Sequence, residues 1–496
     1  MGSVEYCSAH TKQGDVRGQW RRTADGDSAA FLGIPFAQAP IGSLRFAAPA
    51  PMPRWDGVRD ALEYGPTPVR IETPGGMIPE PAVPGDATLN VNVFTPRPGD
   101  TAAGLPVLVW IHGGGYFGGS PASPWYDGRA YNRDGVVVVT LSYRLGFDGF
   151  GWIDGAPANR GVLDWIAGLE WVQDNIREFG GDPARVTIAG QSAGGGAVLT
   201  LLGIERAQHL FSAAHSISGA FGDMPKHTAI DFARALGKRL GVEPTAQALR
   251  DISEEELFAV QQELSTPPGM DYLKSMVEDG PLVAPVVDGE LIRRPTFESY
   301  AMGVGTDKPL LLGATDEEFL IMVAGQDEQL AQVPLPALLE SVGLSGGVRD
   351  EYLAAHPAYV ERGNAAALGR YLTDGIFRST ALRAAHARAG SPTWLYRFAF
   401  VSTSYGLSGH CLDLPFWFDC LDAPDVDAHT GPNPPQALAT AMHGAAVRFA
   451  SERTPGWDAW TVERGTTQVF GDTDPAHTSQ GEFDDVVSLL KLPFRR

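Results

Sequence analysis

Cysteine is scarce in this sequence. Cys7, Cys411 and Cys420 are the only three in 496 residues. An odd count at such spacing builds no disulfide framework and matches no zinc pattern. It suits a reducing compartment. Lysine is also rare, at 6 of the 38 basic residues, which reads as codon bias. Basic charge is short overall: 59 acidic residues leave a formal net charge of −21. That balance argues against nucleic acid and anionic membrane surfaces as partners, because both attract basic patches. No apolar run is long enough to span a bilayer, Val136–Leu141 being typical of the longest. The opening MGSVEYCSAHTKQGDVRGQW lacks the apolar core of a secretory signal. Repeats of 20–50 residues are not visible. The expectation is a cytoplasmic protein, monomeric or a small homo-oligomer.

What is present is ordinary globular composition, with 44% hydrophobic and 20% charged residues. The length allows about three domains, or one large α/β unit with insertions. Short continuous apolar runs read as buried strands: Leu105–His112, Gly135–Ser142, Arg185–Gly190, Pro309–Ala314 and Trp394–Phe400. Such runs belong to parallel sheets covered on both faces. Helical patterns alternate with them at Asn159–Phe179, Ala229–Leu240, Ala365–Arg388 and Pro435–Ser451. The class is therefore α/β, a mostly parallel sheet with crossover helices on both faces. Two helix-rich stretches, at about 224–279 and 327–371, read as insertions over the carboxyl ends of the strands. With no low-complexity linker, residues 1–496 are expected to form a single catalytic domain.

Gly190-Gln191-Ser192-Ala193-Gly194 is a G-x-S-x-G. A strand, RVTIAG, runs into it and a small-residue helix, AGGGAVLTLL, leaves it. This is the strand–turn–helix of a nucleophile elbow, where a tight turn lifts the serine hydroxyl and demands small neighbours. A second motif, His112-Gly113-Gly114-Gly115-Tyr116, ends another strand. Acyl transfer builds negative charge on an oxygen, and backbone N–H groups aimed there stabilise it. Gly114, Gly115 and the Ala193 amide are the expected donors.

With these motifs the chain resembles the type-B carboxylesterases, a group with the α/β-hydrolase fold that includes para-nitrobenzyl esterases, carboxylesterases and cholinesterases. The resemblance runs through FLGIPFAQAPIGSLRFAAP, LNVNVFTP, WIHGGGYFGGS, LSYRLGF, the stretch 159–195, PVVDG and GHCLDLPFWF, in the family's order. It implies a serine ester hydrolase with no metal and no organic cofactor, acting on a small-molecule ester. The acid should follow the strand after the first insertion, and the histidine should follow the acid. LLGATDEEFL offers Asp316, Glu317 and Glu318; the family's spacing from Gly313 favours Glu318, and the other two stay open. Of six downstream histidines, His356, His386, His410, His429, His443 and His477, the resemblance selects His410, in a loop after WLYRFAF.

The resemblance carries further expectations. Arg45 should pair with Asp86, and Arg144 with Asp164. Ser218 should stand behind the triad and hydrogen-bond its carboxylate or histidine. Tyr116, Phe319, Phe416 and Trp417 should line the substrate pocket. Departures count too. Gln191 replaces a glutamate common beside the nucleophile. Thr88 and Thr67-Pro68 stand where secreted members have cysteines, and the Thr67–Asp86 loop has no tryptophan. Choline esters are therefore disfavoured. Gly280–Ala284 carries no aromatic residue, which favours longer or branched acyl groups. Carbamate or amide hydrolysis by the same triad is the alternative reading. An inactive scaffold is disfavoured, since serine and histidine are both present.

Overall fold

The computed structural model describes residues 4–23, 26–70, 76–220, 222–267, 269–471 and 473–494. Residues 71–75 of the Thr67–Asp86 loop lie outside them. The amino-terminal strands are β1 (Tyr6–His10), β2 (Asp15–Thr23), β3 (Gly26–Pro35), β4 (Val58–Asp60) and β5 (Asn90–Thr95). β6 (Leu105–Ile111), β7 (Val137–Leu141), β8 (Gly181–Gln191) and β9 (Ala213–Ile217) follow. β10 (Met224–Pro225) and β11 (Val286–Val287) form a separate parallel pair. β12 (Leu310–Thr315), β13 (Thr393–Phe398), β14 (Thr466–Phe470) and β15 (His477–Gln480) complete the set.

The main sheet runs β1-β2-β3-β5-β7-β6-β8-β9-β12-β13-β14-β15, with β4 beside β2. From β7 to β14 all neighbours are parallel. The residues of β6 explain why: Val107, Val109 and Ile111 enter one hydrophobic cluster, and Leu108 and Trp110 the other. Side chains of a strand alternate between faces, so an unbroken apolar run buries both sides. Helices cover each face, among them Arg160–Asn175 and Gln436–Glu452.

The order also places the chemistry. β7 lies on one side of β6, and β8 on the other, so the winding reverses between β6 and β8. A crevice opens outside the carboxyl ends of the strands at such a switch point. Gly113 leaves β6 there, and Ser192 leaves β8.

The first insertion holds the helices Lys226–Leu240, Glu254–Ser265 and Met270–Glu278; the second holds Leu335–Ser341, Gly346–Ala355 and Asn364–Thr373. The helix expected over Ala365–Arg388 is interrupted. A π-helical turn, Asp374–Arg378, separates Asn364–Thr373 from Ser379–Ala387.

Arg144 and Asp164 pair as expected, both buried, at 2.7 Å. Arg45 does not reach Asp86, which is exposed. It pairs with Asp148 at 2.8 Å and donates to the carbonyls of Leu249, Arg250 and Ile252. Leu249 and Arg250 end the short helix Ala246–Leu249, and Ile252 follows it. Helix ends leave carbonyls without intrahelical donors, and a guanidinium satisfies several at once.

Candidate active site

Ser192 sits between β8 and the helix Ala193–Leu202 with φ 59° and ψ −124°. A non-glycine residue at positive φ is strained by about 1–3 kcal/mol. The turn needs glycine on both sides. A Cβ on Gly194 would lie 2.1 Å from the carbonyl oxygen of Ile111, and one on Gly190 2.5 Å from Gly194. The Ser192 amide donates to Ile217 at 2.9 Å, while its carbonyl accepts from Gly196 and Ala220.

The glycine loop after β6 faces this turn. Gly114 and Gly115 adopt φ 103° and 62°. A Cβ on Gly113 would lie 3.1 Å from that of Ser192. Among the described residues no partner accepts from the backbone N–H of Gly114, Gly115 or Ala193. These three N–H groups are thus open donors beside the Ser192 turn. His112 is fully buried and stacks on Tyr143 at 4.5 Å. Burial pushes it down to about 3, so it stays neutral.

Each of the three candidate acids has its own partner. Asp316 takes Arg397 in a bidentate pair at 2.6 and 2.7 Å. Glu317 accepts from Arg362 at 2.8 Å. Glu318 is completely buried and meets His410: Nδ1 lies 2.5 Å from Oε2, while Oε1 accepts from the Thr315 amide at 2.8 Å. The other histidines lie elsewhere. His443 contacts Asp134, His429 bonds Tyr405, and His386 packs on Trp460. Burial alone would push His410 down; Cys411 and the Glu318 carboxylate outweigh it, and the imidazole stands well above its ordinary value. Burial also raises the Cys411 thiol, which keeps it neutral, so the carboxylate supplies the charge. The ring is packed by Phe319 at 5.1 Å and Phe377 at 4.9 Å.

Gln191 is closer to this pair than the sequence suggests. Its Nε2 lies 3.2 Å from His410 Nε2, and its Oε1 is buried without a partner. When His410 is neutral with Nδ1–H directed at Glu318, its Nε2 accepts from the Gln191 amide, and that contact must open before Ser192 can use the same lone pair. The Ser192 hydroxyl makes no hydrogen bond among the described residues.

Four expectations for individual residues are corrected. Ser218 is buried at φ 44°, and its hydroxyl has no partner, so it bonds neither the Glu318 carboxylate nor His410. Tyr116, Phe416 and Trp417 are 0% exposed and cannot line a cavity. Tyr116 packs on Phe150 and Trp165 and donates to the Ala220 carbonyl. Phe416 packs on Phe398 and Phe400, and Trp417 on His215 and Tyr396. Phe319 is partly exposed and joins a small apolar cluster with Phe377, Ile376, Ala220, Met276 and Val277. Phe377 was missed because it lies in the π turn, where helical periodicity misplaces side chains.

Among the described residues one trio of metal-ligating types converges: His356, Asp374 and Asp485. Arg370 and Arg378 already pair with both carboxylates, which makes it an ion cluster and a poor cation cage. No described helix is long and apolar enough to cross a membrane.

The parallel sheet, the serine turn after β8 and the Glu318–His410 pair after β12 and β13 define an α/β-hydrolase. Comparison narrows the class. The chain belongs to the carboxylesterase family, whose model matches residues 6–462, and is a carboxylic-ester hydrolase. It is 32% identical to the para-nitrobenzyl esterase of Bacillus subtilis over 93% of this chain and 94% of that one. It is 32% identical to the phenmedipham hydrolase of Pseudarthrobacter oxydans over 94% and 95%. A solved carboxylesterase of Geobacillus stearothermophilus superposes with TM-score 0.80 at 32% identity, covering 97% of this chain and 99% of that one.

Proposed function

We propose that the chain hydrolyses small neutral carboxylic esters through an acyl-enzyme on Ser192. His410 Nε2 takes the Ser192 proton as Oγ attacks the ester carbonyl. The tetrahedral oxyanion rests on the N–H groups of Gly114, Gly115 and Ala193. The same His410 proton passes to the leaving alcohol. Water then attacks the acyl-enzyme by the reverse sequence. Glu318 fixes the imidazole tautomer and stabilises the imidazolium. No step requires a metal or an organic cofactor.

The observation that carries this reading is the buried His410–Glu318 contact at 2.5 Å, on loops that end in the crevice of the strained Ser192 turn. The apolar cluster around Phe319 and Phe377 suits an acyl chain better than a cation. The expected preference therefore runs from acetate toward longer or branched acyl groups, each buried methylene adding about 0.8 kcal/mol until the space is filled.

A carbamate-cleaving activity has one specific support, the similarity to the phenmedipham hydrolase. Esters and carbamates share the nucleophile and the oxyanion cradle. One experiment tests both readings. A fluorophosphonate should label one serine, and peptide mapping should find it at Ser192. Turnover of matched ester and carbamate panels should vanish in Ser192→Ala. Label at another serine, or an active Ser192→Ala, overturns the assignment.

A further inference from the structure

One sizeable cavity lies apart from the catalytic crevice. It holds about 570 Å³ and lies beyond the carboxyl end of the helix Ala193–Leu202, whose amino end carries Ser192. Ten residues of helix put roughly 15 Å between the two places. A volume of this size suits a small organic molecule, since such sites run from about 300 to 1,000 Å³.

The cavity's charges are unbalanced. Lys226, Arg206, Arg293 and Arg294 line it, against Glu205, Asp288 and Glu290. Four positive and three negative groups leave +1, on a chain of −21. Two of the three acids are also engaged. Glu205 already serves both Arg293 and Arg294. Asp288 accepts from the Asn159 side chain and from the amides of Glu290 and Ile292. Among the described residues neither Arg206 nor Lys226 has a carboxylate within ion-pair distance. Lys226 rests on the Trp152 ring at 4.8 Å, which holds its ammonium at the apolar wall.

A further polar group is unspent. Ser299 lines the cavity, is only 3% exposed, and its hydroxyl bonds no described residue. Trp152 and Leu291 supply flat apolar surface beside it.

We infer that this cavity is a second, non-catalytic binding site for a small organic carboxylate, with the anion between Lys226 and Arg206 and the apolar body against Trp152 and Leu291. The Ser299 hydroxyl donates to the same anion. The site is independent of the hydrolytic reading, because none of its residues touches Ser192, Glu318 or His410.

The test is calorimetric titration of the full-length chain with 2-naphthoate, after Ser192 has been blocked with a phosphonate. The expected result is one equivalent bound per chain, with affinity reduced about tenfold or more in R206E/K226E, as two lost charge contacts imply. The neutral analogue 2-naphthamide should bind at least as much more weakly to the unaltered chain. R206Q and K226Q serve as milder variants, and unblocked ester turnover should be unchanged in all three. Binding abolished by the phosphonate would place the ligand at Ser192 and overturn the proposal. So would undiminished affinity in R206E/K226E, equal binding of the amide, or no saturable heat at all.

Discussion

Three consecutive acids, Asp316, Glu317 and Glu318, show how little residue type alone decides. All three are carboxylates in one turn, yet one pairs with Arg397, one with Arg362 and one with His410. Glu318→Gln should lower kcat by orders of magnitude, because the imidazole loses the partner that holds its tautomer. Glu317→Gln should change kcat little and slightly loosen the second insertion at Arg362. Steady-state kinetics with a thermal melt of each variant decides; a crippled Glu317→Gln beside an active Glu318→Gln would shift the assignment by one residue. The sequence reached Glu318 only through spacing borrowed from relatives. It could not exclude the other two, because their arginines lie 45 and 81 positions away.

The pH dependence is settled at the same scale. His410 is faced by Glu318, by Cys411 and Asp413 of its own loop, and by Gln191. Its raised value means that the neutral base forms only above the ordinary imidazole range. The acidic limb of kcat/KM should therefore lie above about 6.5. Gln191→Glu puts a negative charge where the amide now donates. That favours the imidazolium, so the limb should move up by about one unit, with most of the loss at low pH. A limb that stays in place, measured over pH 5 to 10, would show that Gln191 does not face the base in solution.

At the scale of elements, the buried parallel strands were readable because both faces are apolar. β1, β4 and β15 were not, being short or at an edge, and β2, though interior and nine residues long, carries too many polar residues to read as a buried strand. The π turn was hidden for a different reason. One extra residue in a helix changes which side chains face inward without changing composition. It takes Phe377 to the His410 ring and Asp374 to the ion cluster. The elbow was legible because steric demand shows directly as glycine. Gly194→Ala should cost about 3 kcal/mol or more, since Cβ would collide with two backbone oxygens at the end of β6, Ile111 at 2.1 Å and His112 at 2.8 Å. Gly409→Ala, beside the histidine, has open space around it and should be tolerated. Denaturant melts of the two variants make the comparison; equal stability would mean that the elbow can relax.

Across the whole molecule, the ion cluster ties distant parts of the chain together. Asp374 lies in the π turn, Arg370 in the second insertion and Asp485 in the carboxyl-terminal 3-10 helix Asp484–Lys491. Arg370 and Arg378 each bridge the two aspartates, and Tyr352 donates to Asp374 at 2.7 Å. These charges are spread over more than a hundred positions, so no local pattern announced them. His356 completes the cluster, 3.1 Å from Asp374 and 3.3 Å from Asp485. Burial alone would lower it, but the two carboxylates prevail and raise it to about 9. The unfolded chain has an imidazole near 6.5. The resulting stability is thus complete below about 6.5 and lost as pH rises toward 9. Two and a half units correspond to about 3 kcal/mol. The buried carboxyls Glu80, Asp223 and Asp413, raised to about 7, lose their protonated advantage as pH rises toward 7, and they are common to both proteins of a matched comparison. His410 is also raised above its ordinary value, but it too is present in both proteins. The wild type should therefore lose more stability than His356→Asn between pH 7 and 9.5, and the two curves should converge at the alkaline end. Thermal melts at half-unit steps measure the difference. Parallel curves across that range would mean that His356 carries no charge in the folded protein, and that the two arginines alone hold the carboxyl-terminal segment.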